Sequence, residues 1–509
     1  MSEDTQLNDL KQKYPIFIGI HIGAGYHSQK LSIGYRESIK NALNKTFSMV
    51  YDRLSIDIQS NVIPESIDSL WVLESVISIL EDDPLTNSGV GSNLNIDGEV
   101  ECDASTMDGQ LLCRCNNQCF SSLLKRQSDQ SINSICGGGI WAGVGASIGI
   151  SNPIKVTSEM VRKQRKGLLS LGRQRPMMLV GQGAREWAES HRLPVYEKNP
   201  VIGDPLITQQ ANIRYLNHKA RLDTFKYSKH QSTEYQEKHQ QQWLNTDNTM
   251  KIDDNDNDED LLNDTVGAIV VDWNGNITSG VSSGGISLKH KGRVGEAAIF
   301  GAGCWAQNEI LVRDIKSQTD KLVTLVPGVA CSSTGVGEQL MKSQVSKECC
   351  LKIIKKKYAD TGVKSFFEES FLSHSDCFSY LNEYISNQQP QPVNNSKCNS
   401  NNNVNNIDED IEDEEEEEEV EYTDNYNNNY TGESRLGGLI AIKKTTSDNN
   451  MNIEFVWGHT TDSMGVGYIS SVDSKPRSMI SRIYPSSKSK AGHCLEFSAR
   501  NIVLPIPKK

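Results

Sequence analysis

One dipeptide, Asp264-Thr265, lies where the sequence changes character, and its threonine could do acyl-transfer chemistry. Residues 253–260 are only Asp, Asn and Glu, whereas Thr265 to Val271 form an apolar run rich in β-branched side chains. If the peptide bond before Thr265 broke, the threonine hydroxyl would be a nucleophile and the freed amine of the same residue its base. The border therefore predicts an N-terminal threonine nucleophile that is created by chain cleavage.

The residues after Thr265 predict a β-hairpin that brings a second hydroxyl towards the first. Asn274-Gly275 between two β-rich runs is a strong signal for a two-residue hairpin loop. With that loop, Thr265 lies opposite Gly284. Ser283 lies opposite Val266, one position along, and is therefore expected beside Thr265 across the ladder, about 5 Å away. A Ser-Ser-Gly-Gly turn that merely ends a strand is an equally weighted interpretation.

Three further groups could bind a substrate or an oxyanion, and each also has an ordinary structural interpretation. Arg293, in a glycine-bracketed loop, could bind a carboxylate through its fork of donors, or could be a solvated surface residue. Backbone N–H groups of 334–338 could stabilise an oxyanion, or this segment could only cap the helix that follows. Asn87 could donate its amide to the same oxyanion, or could be a turn residue.

Composition indicates a nearly neutral folded part that carries one acidic tract. The chain has 509 residues, 37% of them apolar, and a net charge of −13. Twelve acidic residues lie between Asp408 and Glu421, so the remainder carries about −1, which argues against direct nucleic-acid binding. The sequence contains no run of 18 apolar residues, so we predict no transmembrane helix. The N-terminus is polar and does not have the pattern of a secretory signal. We expect an intracellular protein of the cytoplasm, the nucleus or both.

The pattern of apolar residues divides the chain into folded blocks and polar tracts. The tracts at 227–263 and 387–432 have too few apolar side chains to offset the entropy of ordering, so we expect both to be disordered. The blocks 14–226, 265–386 and 433–509 alternate strands with helices, which predicts an α/β (α+β layered) protein with sheets buried on both faces. Strands are predicted at 16–20, 265–271, 277–283, 439–442 and 453–457, and helices at 33–50, 67–80 and 339–357.

Several long motifs, taken in order, resemble the type 2 asparaginases, which are N-terminal nucleophile hydrolases, and within them the threonine aspartases (taspases). The resemblance covers about 14–215, 262–350 and 433–485. It implies a four-layer αββα sandwich that cuts itself between Asp264 and Thr265 into an alpha and a beta part. The motifs that carry it are His21–Ser28, Glu81–Asn95, Glu101–Gly109, Asp264–Gly295, Gly301–Ala306 and Phe455–Tyr468.

The resemblance also implies a mechanism and a role for each candidate residue. The Thr265 hydroxyl would attack the carbonyl of Asp264, water would hydrolyse the ester, and the mature enzyme would repeat the attack on proteins after aspartate. Asparaginases carry aspartate at position 296 to hold a free substrate amine, so the longer Glu296 mildly favours a protein substrate. The implied oxyanion donors are Asn87 and Gly335, the groups that support the nucleophile are Ser283 and Thr334, and the substrate-binding residues are Tyr26, Lys30 (after a one-residue shift), Tyr35, Arg293, Glu296 and Gly337.

Partners and bound ions follow from the same resemblance. It implies protein substrates with aspartate before the scissile bond, such as nuclear regulatory proteins, and an alpha/beta heterodimer that could itself dimerise. No cofactor is implied, although residues 80–90 resemble a family loop whose carbonyls can hold a sodium ion.

Four cysteines lie in an apparent insertion: Cys113, Cys115, Cys119 and Cys136. Their spacing is not that of a standard zinc finger, so free thiols are favoured over a metal site.

Two other functions stay open at this point. One is an isoaspartyl peptidase or L-asparaginase on the same scaffold, which would act on small substrates. The other is an unprocessed protein that binds partners without catalysis.

Overall fold

Two β-sheets form the centre of the protein in a computed structural model. It describes residues 3–60, 67–110, 139–198, 203–235, 265–313, 322–373, 434–447, 450–483 and 491–506. The strands are β1 (Phe17–Gly25), β2 (Cys102–Asp108), β3 (Ile140–Ser147), β4 (Met178–Val180), β5 (Val266–Val271), β6 (Ile277–Ser283), β7 (Cys304–Gln307), β8 (Ile310–Arg313), β9 (Leu322–Val326), β10 (Gly328–Gly335), β11 (Gly437–Ser447), β12 (Asn450–His459), β13 (Ser463–Ser470), β14 (Arg477–Arg482) and β15 (Glu496–Pro505).

Helices cover both outer faces of these sheets. The first sheet has the strand order β14-β13-β1-β5-β6-β2-β3-β4, the second has β15-β12-β11-β10-β7, and β8 pairs with β9 in a short ribbon. The helices are α1 (Glu3–Lys13), α2 (Ser32–Gln59), α3 (Ser69–Glu81), α4 (Pro153–Arg165), α5 (Gly181–Ser190), α6 (Gln209–Tyr235), α7 (Gly337–Lys342), α8 (Val345–Lys355) and α9 (Ala359–Phe366).

The alternation of side chains along the central strands produces four layers. Successive residues of a strand face opposite sides of its sheet. In β1, Phe17 packs between the two sheets with Phe455 of β12, whereas Ile18 packs among the apolar residues of α2 and α3. Helices α8 and α9 cover the far side of the second sheet through Ile353 and Phe366. The αββα sandwich expected from the resemblance is therefore confirmed, and so are the sheets buried on both faces.

The central sheet mixes strands from both sides of the Asp264-Thr265 border. Strands β1 to β4 precede the border, and the other four strands of this sheet follow it. Strand β1 pairs antiparallel with β13 on one side and with β5 on the other, and β6 pairs antiparallel with β2. The two parts of the chain thus share one hydrogen-bonded sheet.

The predicted hairpin exists, but its register differs by one residue. Val266 pairs with Ser282, and Val271 pairs with Ile277, so the pairing of Ser283 with Val266 is wrong. The cause is the loop, which has three residues. The Asp272 N–H donates to the Asn276 carbonyl, and Gly275 has a φ of 78°, as in three-residue loops that end in a left-handed residue.

Two other boundaries differ from the sequence predictions. The single helix predicted for 339–357 is two helices, α7 and α8, because Gln344 between them adopts a left-handed φ of 43°. This turn lets Val345 and Ile353 of α8 pack in the core. Helix α6 continues to Tyr235, into the tract predicted to begin at 227, and residues 236–264 and 374–433 lie outside the described residues. In the described part of the chain, no helix is long and apolar enough to cross a membrane.

Candidate active site

Thr265 lies at the N-terminal edge of β5 with its hydroxyl in a buried hydrogen-bond network. Its Oγ1 is 3.0 Å from Oγ of Ser283 and 2.7 Å from Oε1 of Glu296, and the residue is only 3% exposed. The observed register ends with Val266 opposite Ser282, and one residue further it brings Thr265 opposite Ser283, so both side chains lie on one face of the sheet. The register predicted from sequence would have turned Ser283 to the other face. The expected proximity is therefore observed, for a different geometric reason.

Glu296 follows a glycine and begins a single 3-10 turn, Glu296–Ala298, which brings its carboxyl group beneath Thr265. Burial raises the pKa of this carboxyl to about 7, opposed by the hydrogen bond from Thr265 and by the charge of Arg293. A carboxyl group with this pKa can hold or release a proton near neutral pH. The contact with the nucleophile was not expected from sequence, where Glu296 was named only as a substrate-binding residue.

The side-chain amide of Asn87 is held in place by two hydrogen bonds. Its Nδ2 donates to the Gly285 carbonyl over 2.9 Å, and its Oδ1 accepts from the Asn93 N–H over 2.9 Å. The Gly284 N–H donates to the Asn87 carbonyl, which ties this loop to the end of β6. A primary amide has two N–H donors, so an oxyanion near Thr265 could receive the second.

Thr334 and Gly335 end strand β10 and do not open the following helix, which begins at Gly337. Oγ1 of Thr334 accepts from the Ala24 N–H over 3.3 Å. Because Ile22 of β1 pairs with Val266, this contact lies at the same end of the sheet as Thr265. Gly335 has a φ of 136°, which only glycine adopts without strain, so its N–H direction depends on this residue type.

Arg293 already holds a carboxylate of its own chain. Its Nε and Nη2 donate to Glu338 at 2.8 to 3.0 Å, an arrangement that engages both carboxylate oxygens. The arginine side chain is 14% exposed and that of Glu338 is 51% exposed. Gly337 permits this approach, since a Cβ there would lie 2.7 Å from Nη2 of Arg293 and 2.9 Å from Oε2 of Glu296. Nothing in the sequence indicated that Glu338 would be the partner of Arg293.

A second cation near the site, Lys289, was not selected from the sequence. It is buried, and its Nζ donates to the backbone carbonyl of Glu101 over 2.5 Å. A Cβ on Gly285 would lie 3.0 Å from this Nζ and 3.4 Å from Nη1 of Arg293, so both cations flank the Gly285 turn. Asp103 of β2 balances them, and it accepts from the Gly295 N–H over 2.8 Å. The sequence feature that could have identified Lys289 is its position in the Lys-His-Lys-Gly-Arg-Val-Gly motif, four residues before Arg293.

The remaining predicted residues lie between the end of β1 and the first turns of α2, or outside the described residues. Tyr35 is buried, with its ring edge-on to His27 at 4.9 Å, and Tyr26 is half-buried after the end of β1. Lys30 is exposed in the turn before α2 and is not brought to the Thr265 cluster by any described contact. Asp264 lies outside the described residues, as do the four cysteines of the apparent insertion, Cys113, Cys115, Cys119 and Cys136. No group of three or more potential metal ligands occurs among the residues that are described.

A buried histidine supports β5 beneath the nucleophile. Nε2 of His21 is 2.9 Å from Oγ of Ser332, and burial lowers the pKa of His21 to about 3, so the ring is neutral. The Ser332 hydroxyl donates to the Gly280 carbonyl of β6 over 3.1 Å. These contacts join the two sheets two residues along from Thr265, opposite Gly267, whose missing side chain makes room for both groups.

A family model described as Asparaginase matches residues 14–116 and 137–313. These stretches of 103 and 177 residues together make 280 of the 509 residues, more than half of the chain. The unmatched gap at 117–136 falls in the apparent insertion inferred from the sequence. The match includes Asn87, Thr265, Ser283, Arg293 and Glu296, and it ends before β10.

Curated relatives carry related descriptions. An isoaspartyl peptidase/L-asparaginase of Macaca fascicularis is 28% identical over 286 residues, which are 56% of this chain and 64% of the relative. A protein of the same description from Xenopus laevis is 24% identical over 328 residues, 64% of this chain and 72% of the relative. A plant-type L-asparaginase of Pyrococcus horikoshii is 29% identical over 279 residues, which are 55% of this chain and 64% of the relative. The chain thus spans less than two thirds of the first and third of these relatives.

Proposed function

The chain belongs to the asparaginase family, and we propose that it is a self-processing threonine hydrolase that cleaves protein substrates after aspartate, as taspases do. The observation that carries the proposal is the position of Thr265, which directly precedes the buried central strand β5, with its hydroxyl hydrogen-bonded to Ser283 and Glu296. Cleavage before this residue would give it a free amine beside its own hydroxyl, which is a complete nucleophile and base.

The proposed catalytic cycle uses the amine of Thr265 together with Asn87, Gly335 and Ser283. The Thr265 amine would take the hydroxyl proton while Oγ1 attacks the carbonyl carbon of the substrate aspartate. The second Nδ2 hydrogen of Asn87 and the Gly335 N–H would stabilise the oxyanion. The leaving amine would take the proton, and water would hydrolyse the ester to restore Thr265. Ser283, 3.0 Å from the nucleophile, would keep the hydroxyl oriented throughout.

One contact favours a protein substrate over a free amino acid or a small dipeptide. By the resemblance, small substrates of this family need an acid for their free amine, and here Glu296 contacts the nucleophile. An aspartate within a protein has no free amine, so it does not need that acid. Its side-chain carboxylate would bind Arg293 after displacing Glu338.

The second candidate is an isoaspartyl peptidase or L-asparaginase. It is favoured by the descriptions of the relatives, which name that activity. Under this alternative, a substrate carboxylate would displace Glu338 from Arg293, and Glu296 would turn from Thr265 towards the substrate amine.

Incubation of the purified full chain, followed by intact mass spectrometry, tests self-processing. We expect two fragments with Thr265 at the N-terminus of the second, and a single intact chain for Thr265→Ala. Thr265→Ser keeps a hydroxyl and should still be cleaved. A wild-type chain that stays intact, or fragments that persist in Thr265→Ala, would contradict the proposal and favour a non-catalytic binding protein.

The processed protein then separates the two candidate activities. It should cleave a peptide with an internal aspartate, and it should leave the same peptide intact when asparagine or glutamate replaces that aspartate. Turnover of β-aspartyl dipeptides or free asparagine, without cleavage of the peptide, would reject the endopeptidase in favour of the second candidate.

A further inference from the structure

We propose that Glu296 is the proton acceptor that starts the cleavage before Thr265 in the intact chain. This inference rests on the proposed self-processing and adds a catalytic residue to it. It concerns the one step in which the usual base of an N-terminal nucleophile does not yet exist.

The nitrogen of Thr265 cannot serve as the base before cleavage. In the intact chain this nitrogen belongs to a peptide bond, whose lone pair is delocalised and takes up a proton poorly. The N-terminal amine that activates such a threonine appears only after the bond is broken. The intact chain therefore needs another group that can accept the Oγ1 proton.

The hydroxyl of Thr265 has one contact in the described structure that fits this need. Of its two hydrogen-bond partners there, Ser283 offers a hydroxyl, which is a weak base, and Glu296 offers a carboxylate. The distance of 2.7 Å between Oγ1 and Oε1 of Glu296 is within the range for direct proton transfer. The other oxygen, Oε2, lies against Gly337, which has no side chain to push it away.

The charges that face Glu296 favour a base that works near neutral pH. Arg293 stabilises its anionic form and Asp103 disfavours it, while Glu338 neutralises part of the arginine charge through the bidentate pair. Burial outweighs these effects and raises the pKa of Glu296 to about 7. A base is most useful when its pKa is near the working pH, since it is then both available and strong enough.

The proposed step conserves every atom and charge. The Oγ1 proton of Thr265 moves to Oε1 of Glu296 as Oγ1 forms a bond to the carbonyl carbon of Asp264. The bond from that carbon to the Thr265 nitrogen then breaks, and the nitrogen takes the proton back from Glu296. The product is an ester between Asp264 and Thr265 with a free threonine amine. Water then hydrolyses the ester to a carboxylate and a hydroxyl, and the threonine amine takes up the released proton.

The test measures processing of newly made full-length chain as a function of pH. Chain synthesised in a cell-free system is shifted to buffers from pH 5 to pH 9, and the intact fraction is followed on denaturing gels. For the wild type we expect a rate that rises up to about pH 7 and then levels, because Glu296 must be ionised to accept the proton. Glu296→Gln should slow processing by about 10²- to 10⁴-fold and remove this rise.

Two further variants separate catalysis from folding. Glu296→Asp keeps the carboxyl group on a shorter side chain, so it should process more slowly than the wild type while keeping a rise with pH. Glu368→Gln, an exposed glutamate after α9, is the matched control for the same chemical change and should behave as wild type. Melting temperatures of Thr265→Ala with and without Glu296→Gln check that the fold is preserved.

Each outcome distinguishes this inference from the function on which it rests. If the wild type processes and Glu296→Gln does so within about threefold with the same pH profile, Glu296 is not the base and self-processing stands. If Glu296→Gln melts early, the Glu296→Asp profile decides, and a rate that does not change with pH rejects the inference. If the wild type is never cleaved, both proposals fail together.

Discussion

Arg293 shows at the scale of one residue what spacing in a sequence cannot convey. Its type and its glycine-bracketed loop predicted a carboxylate ligand, and the structure supplies one from within, Glu338. The pairing depends on α7 returning over the loop that carries Arg293, a tertiary arrangement with no local signal. By contrast, Thr265 was recognisable because a composition border and a chemical type coincide at one position.

The Arg293–Glu338 pair leads to a prediction about substrate binding. If a substrate carboxylate uses Arg293, it must first displace Glu338, so Glu338→Gln should lower KM for an acidic peptide while kcat changes little. An ion pair with one exposed partner is worth about 0.2–1 kcal/mol, which corresponds to a KM lowered by about 1.5- to 5-fold. Steady-state kinetics of the processed protein measure this.

Glu368→Gln is again the control for that comparison and should leave KM as in the wild type. An unchanged or higher KM for Glu338→Gln would mean that the substrate does not use Arg293. The pair would then hold the loop in place and would not compete with substrate.

At the scale of the secondary-structure elements, the β5–β6 hairpin shows which features can be predicted and which cannot. The two strands and their turn were predicted from alternation and from Asn274-Gly275, because these signals are local. The register could not be predicted in this way. The Asp272 N–H donates to the Asn276 carbonyl and closes a three-residue loop, and Asn274-Gly275 is compatible with this loop as well as with a two-residue loop. One residue of register decides which face of the sheet carries Ser283.

Close contact of the two sheets at Gly267 leads to a second prediction. A Cβ at this position would overlap Oγ of Ser332 and Nε2 of His21. We therefore expect Gly267→Ala, made in the Thr265→Ala chain so that it stays whole, to lower the free energy of unfolding by about 1–3 kcal/mol. Urea titration followed by fluorescence or circular dichroism measures this.

The matched control is Gly183→Ala in α5, where a Cβ would meet no atom within 4 Å. Alanine is favoured over glycine inside a helix, so this variant should gain about 0.5–1 kcal/mol. A Gly267→Ala chain as stable as the parent would show that the sheets can separate locally without cost.

At the scale of the whole molecule, buried ionisable groups act on stability in opposite directions. Burial raises the pKa of Glu81 to about 8 and that of Asp272 to about 6, so each favours the folded state at low pH and loses that contribution as pH rises. Burial lowers the pKa of His27 and His459 to about 4, so their contribution is present above about pH 6.5 and is lost on acidification. Of these four groups, only Glu81 and Asp272 still change their contribution to stability above pH 6.5.

This asymmetry predicts that the intact Thr265→Ala chain loses stability between pH 6.5 and pH 8. Glu81 alone should account for about 1–2 kcal/mol of the loss, from about 1.4 kcal/mol per pH unit for one proton. Adding Glu81→Gln should remove that part of the slope, whereas adding Glu368→Gln should leave it. Urea unfolding at the two pH values measures the slope, and equal slopes for all three chains would contradict this role of Glu81.

The shared central sheet has a consequence for what a break before Thr265 would do. Strand β1 lies between β13 and β5, and β6 lies beside β2, so strands of the two pieces alternate in one sheet. Separating the pieces would break the hydrogen bonds of three antiparallel strand pairs, which amounts to unfolding the molecule. On a native gel or a size-exclusion column, the cleaved protein would therefore have the same size as the intact chain, and the two pieces would separate only in denaturant. The cut would free two chain ends beside the nucleophile and leave the rest of the architecture where it was.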